Sequence, residues 1–137
     1  MSDDIILNKI SSIERCLNRI TEEYEGKEDQ FQTNLTVQDS ILLNLQRACE
    51  ASIDLANYLI KKNKLGSPQN SRESFEILTQ AKVIDPLLSD KMKRMVGFRN
   101  VAIHEYHTLS MNIVESIIKH NLDDFRLFTK KILQFQE

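Results

Sequence analysis

The stretch Pro86–Tyr106, PLLSDKMKRMVGFRNVAIHEY, carries Leu88, Met92, Met95, Arg99, Ala102 and Tyr106 at intervals of 4, 3, 4, 3 and 4 residues. That is the period of one buried face of an α-helix. Asp85-Pro86 supplies a capping carboxylate and a first-turn proline, which fixes where the helix begins. One position on this face is out of character. Arg99 stands where a core side chain belongs, and a guanidinium cannot shed its charge. It must be paired, hydrogen-bonded or turned toward a polar cleft.

The same period governs the rest of the chain. Ile6, Ile10, Ile13, Leu17, Ile20 and Tyr24 predict a first amphipathic helix, and Gly26 with the polar run 27–34 reads as its exit and a loop. Thr36 followed by Asp39 resembles a capping box opening a second helix. Its seam is Leu42, Leu45, Cys49, Ser52, Ala56 and Leu59, widened by Ile41, Ala48 and Leu55 into a face that suits the centre of a bundle. Residues 61–70, with Gly66-Ser67-Pro68, form the clearest linker. Asn70 and Glu73 predict the cap of a short third helix carrying Phe75, Leu78 and Ala81. The pattern restarts near Thr108–Ser110 with Ile113, Val114, Ile117 and Ile118. Asn121 with Asp124 caps a last helix faced by Phe125, Phe128, Ile132 and Phe135. No repeat and no strand-like alternation occurs. The expected fold is all-α, an up-and-down helical bundle with additional short helices, in one domain spanning residues 1–137.

Composition agrees. The 137 residues are 41% hydrophobic and 28% charged, with only three glycines and two prolines, which favours few, long helices in a soluble domain. A net charge of −2 argues against holding nucleic acid by bulk electrostatics, but leaves room for a local basic site. Cys16 and Cys49 sit in apolar helical patterns and read as buried free thiols. The amino terminus lacks the blocks of a signal peptide, and no apolar run reaches membrane-spanning length. A cytoplasmic protein with no membrane association is expected.

Arg99, Asn100, His104 and Tyr106 are the residues that could carry chemistry. Asn100 and His104, four apart on a helix, share a face, as do Arg99 and Tyr106, seven apart. Arg99 and His104, five apart, diverge by about 140° on an unbroken helix. Either the helix loosens near His104 or a second copy of the chain supplies partner residues across a two-fold axis. Two histidines and two arginines in one cleft could cleave RNA without a metal. One imidazole takes the 2′-hydroxyl proton, another protonates the departing 5′ oxygen, and arginine meets the charge growing on the phosphate. Asn100 could orient the imidazole or bind a phosphate oxygen, and Lys91, Lys93 and Arg94 could guide the RNA backbone. The plainer readings are an ion pair for Arg99 with a carboxylate of a neighbouring helix, a helix-end role for His104, a packed Tyr106, and a solvated face for residues 91–94. His104 and His107 form H-x-x-H, which lacks the zinc-protease pattern, and no metal site is expected.

Arg99, the four residues to His104, and Tyr106 resemble the R-x4-H-x-Y signature of HepT-type proteins in the HEPN superfamily of small helical bundles. The chain length, the two long leading helices and the apolar run before Arg99 are similar too. The resemblance implies the toxin of a bacterial toxin–antitoxin pair, a metal-independent endoribonuclease that needs no cofactor and whose site forms at a homodimer interface. It implies that Arg99 and His104 are the catalytic pair, with Asn100 in support. Tyr106 matches the tyrosine that a nucleotidyltransferase antitoxin, MntA-like, modifies with AMP. Some superfamily members are instead non-catalytic partners or substrate-binding modules for nucleotidyltransferases, which is the alternative function.

Overall fold

A computed structural model describes residues 3–136 and places them in six helices: α1 (Asp4–Tyr24), α2 (Leu35–Lys62), α3 (Ser71–Gln80), α4 (Pro86–His104), α5 (Met111–His120) and α6 (Leu122–Gln136). Single 3-10 turns at Glu28–Gln30 and Tyr106–Thr108 lie in the α1–α2 and α4–α5 connections. The up-and-down all-α bundle is therefore as expected. Helix α2 is the central member and packs on α1, α3 and α4, while α6 closes the bundle against α1, α4 and α5.

The predicted seams form the core. Ile6, Ile13, Leu17 and Ile20 of α1 meet Ile41, Leu45, Ala48, Leu55 and Leu59 of α2, and all are buried. Phe75 of α3 packs edge-on against Phe128 of α6, ring centroids 5.6 Å apart, joining the two sides of the bundle. Two expected inward positions face solvent: Ile113 and Phe135 are exposed. Cys49 is buried, and burial pushes its thiol up to about 12. Cys16 is only half-buried at the helix surface.

Capping decides where the chain turns. Asp85 accepts from the Leu88 amide at 2.8 Å and Asn70 from the Glu73 amide at 2.9 Å, as the residue types predict. The start of α2 differs from expectation. Asn34, not Thr36, is the cap, its side chain accepting from the Val37 amide at 3.1 Å. Phe31 explains the shift. Although it lies in a polar connection, it is fully buried and stacks edge-on against Tyr24, and the Gln38 side chain donates to its carbonyl at 2.7 Å. Anchoring residue 31 in the core forces helix entry two residues earlier. Asn34→Ala should therefore cost about 1 kcal/mol, whereas Thr36→Ala, at an exposed position, should stay within about 0.5 kcal/mol. Urea unfolding midpoints of the two variants check this. The reassignment also frees Asp39 for another partner.

Candidate active site

Helix α4 is held on α2 in a definite register. The buried Cys49 thiol donates to the Met95 carbonyl at 3.6 Å, and one turn further along α4 the Arg99 guanidinium meets the carboxylate next to Cys49. Arg99 Nη1 donates to Glu50 Oε1 at 2.6 Å, with the two side chains 18% and 43% exposed. The ion pair expected from the plainer reading exists, and the sequence did not identify Glu50 as its partner. The pair is not a sealed core contact, because Glu50 reaches solvent. It is also incomplete: Arg99 Nε is buried with no hydrogen-bond partner among the described residues. A guanidinium placed only for stability normally engages a carboxylate with two nitrogens and satisfies its buried donors.

His104 is the last residue of α4 and is exposed, and so is Asn100 one turn before it. No hydrogen bond joins them among the described residues, so the expected Asn100–His104 contact is not made within the chain. Nor does one chain bring Arg99 and His104 together. Arg99 turns toward α2 while His104 turns to solvent, the divergence that five helical residues impose. Ile103, a large apolar side chain, is also exposed on this end of α4.

Tyr106 departs from the sequence reading. Helix α4 stops at His104, with the Glu105 amide bonded to the Val101 carbonyl, and Tyr106 begins a 3-10 turn. It therefore does not share a helical face with Arg99. The residue is 46% exposed, and its hydroxyl donates to Asp39 Oδ1 of α2 at 2.8 Å. That hydrogen bond, with partial burial and the nearby carboxylate charge, holds the phenol above its usual ionisation range. Asp39 and Glu50 are eleven residues apart on α2, so they sit within about 20° of one another around the helix and roughly 16 Å apart along it. One stripe of the central helix thus anchors both Tyr106 and Arg99. Nothing local in the sequence singles these two out, since Asp54 is a third acidic side chain on the same helix.

The upstream cations are not a free basic track. Lys91 reaches Asp124 of α6 at 3.5 Å, and Lys93 pairs with Glu76 of α3. Arg94 remains exposed. Among the described residues no group of three or more His, Cys, Asp or Glu side chains is placed to hold a metal ion, and no helix is long and apolar enough to cross a membrane.

Comparison with known proteins fits this geometry. The family description "Ribonuclease HepT-like" matches residues 13–132. The chain is 49% identical over 126 residues to the mRNA nuclease HepT of Shewanella oneidensis, covering 92% of this chain and 94% of that one. It is 28% identical over 88 residues to the tRNA nuclease HepT of Aphanizomenon flos-aquae, covering 64% of this chain and 60% of that protein. Its fold superposes with a TM-score of 0.92, at 47% identity and over 97% of this chain and 99% of the other, on the tri-AMPylated HEPN toxin of Shewanella oneidensis solved in complex with an MNT antitoxin. This chain belongs to the HepT-like ribonuclease family.

Proposed function

We propose that this protein is the ribonuclease toxin of a bacterial toxin–antitoxin pair. It cuts RNA without a metal at a homodimer cleft in the cytoplasm, and an MntA-like nucleotidyltransferase antitoxin silences it by adenylylating Tyr106. The observation that carries this reading is the placement of Arg99. Its guanidinium is held by one contact to Glu50, whose carboxylate reaches solvent, and a solvent-facing imidazole lies five residues on in the same helix.

The chemistry follows from those groups. One His104 removes the 2′-hydroxyl proton, and the freed oxygen attacks the adjacent phosphorus. The bond from phosphorus to the 5′ oxygen breaks, and His104 of the partner subunit returns a proton to that oxygen. The products are a 2′,3′-cyclic phosphate and a 5′-hydroxyl. Arg99 donates to the non-bridging oxygens as they gain charge. Asn100, one turn before His104 and exposed beside it, orients the substrate or the imidazole. A two-fold arrangement is needed because a single chain turns Arg99 and His104 apart, and the exposed Ile103 at this end of α4 supplies apolar surface for such contact. RNA is the substrate class, in keeping with the mRNA nuclease at 49% identity.

Adenylylation acts by bulk as well as charge. Tyr106 is tied to Asp39 and not to the face of Arg99, so an AMP group there lies beside the cleft and obstructs the strand entering it, and its phosphate adds like charge against the RNA backbone. Tyr106→Phe tests this. The variant is expected to cleave RNA normally but to remain active after incubation with antitoxin and ATP, whereas the wild type loses activity and gains AMP mass on Tyr106. Silencing of the Phe variant to the same degree would remove Tyr106 from the switch.

The non-catalytic alternative draws on the Arg99–Glu50 pair itself, since an arginine committed to a fold contact needs no substrate. Incubation of RNA in EDTA separates the two. Products ending in a cyclic phosphate mark the enzyme, and intact RNA across several substrates marks the binding module.

A further inference from the structure

We propose that Asp39 is the general base for nucleotidyl transfer to Tyr106, so that the toxin itself supplies a catalytic group for its own silencing. This rests on the reading of Tyr106 as the modified residue. The two side chains are already in the geometry that proton transfer requires, the phenolic O–H donating to Asp39 Oδ1 at 2.8 Å. Both are exposed, so a nucleotide bound to a partner enzyme can approach them. Asp39 joins no ion pair among the described residues and is free to accept a proton. It stands on the rigid central helix, whereas Tyr106 sits in a short 3-10 turn. The phenol has its ionisation held above the usual range, which makes it a weak nucleophile unless a base takes its proton during attack.

The surroundings suit an incoming polyphosphate. Asp39 borders an open groove between α1 and α2 that Arg15, Arg19 and Arg47 also line. Their guanidinium groups face the same groove as the base and offer cationic donors to the negative charge of a bound polyphosphate. In the step itself the phenolic oxygen attacks the α-phosphorus of ATP and an O–P bond forms. The bond from that phosphorus to the bridging oxygen breaks, and pyrophosphate departs with the electron pair. The phenolic proton passes to Asp39 and from there to solvent.

The test uses the full chain, its MntA-like antitoxin, and ATP with magnesium. Intact mass and peptide mapping follow AMP addition at Tyr106. Asp39→Asn keeps a hydrogen-bond acceptor for the phenol but removes the base, and Asp39→Ala removes both. Both variants should slow AMP addition by about a hundredfold in kcat with little change in the KM for ATP. Formate should restore the rate of the Ala variant. RNA cleavage by both variants without antitoxin should persist and report an intact fold. Addition to Asp39→Asn at the wild-type rate would overturn the proposal, reducing Asp39 to a holder of the ring. AMP found on the wild type only at residues other than Tyr106 would overturn the underlying reading and the proposal together.

Discussion

Replacing His104 with alanine is expected to slow RNA cleavage by about two to four powers of ten while changing stability by no more than about 0.5 kcal/mol. The first figure is the usual contribution of a positioned acid or base. The second follows from placement. His104 is exposed at the end of α4 and takes part in no hydrogen bond or ion pair among the described residues, so its removal opens no cavity and orphans no partner. A helix-end histidine is worth only a fraction of a kcal/mol through the helix dipole. Cleavage rates at saturating enzyme, set beside urea unfolding of the same sample, separate the two roles. Loss of activity with an unchanged midpoint identifies a catalytic group. Full cleavage by the variant removes His104 from the mechanism.

Arg99→Lys is the sharper test of the guanidinium, with an expected loss of about a hundred- to a thousandfold in kcat. Lysine keeps the charge and can still reach Glu50, so a purely structural ion pair would survive the exchange with little effect. Lysine cannot hold a carboxylate with one nitrogen while offering a planar fork to a phosphate. Arg99→Met removes the charge as well. Because Glu50 is 43% exposed, its carboxylate can turn to water once alone, and the fold is expected to survive that change too. If Arg99 only holds helices together, both variants keep wild-type cleavage. If it meets the phosphate, both lose it and the methionine variant loses more.

The features legible in the sequence were those set by local chemistry. Helical period placed the core residues of α1, α2 and α4, and residue type placed the caps Asn70 and Asp85, because each is decided within one or two turns. What escaped depends on groups distant in sequence. Phe31 looks like part of a loop until Tyr24 and the Gln38 side chain close around it. Its burial then moves the α2 cap from Thr36 to Asn34. The end of α4 is similar. Residues 105–110 contain neither glycine nor proline, so by period alone the seam runs on to Tyr106, and the contact with Asp39 lies 67 residues away. For the site, the odd position of Arg99 was visible at once, and so was the possibility that it pairs with a carboxylate. Which carboxylate it was could not be read, since Asp39 and Glu50 acquire meaning only when α4 is laid against α2.

The proposed mechanism needs two chains to build one catalytic cleft. Heterodimers of one wild-type and one His104→Ala chain, purified through two different tags and assayed for RNA cleavage, test it most directly. A shared cleft that needs both imidazoles predicts that a single lesion silences the pair almost to the level of the Ala homodimer. Retention of about half the wild-type rate, as two independent sites in a symmetric dimer require, would contradict it.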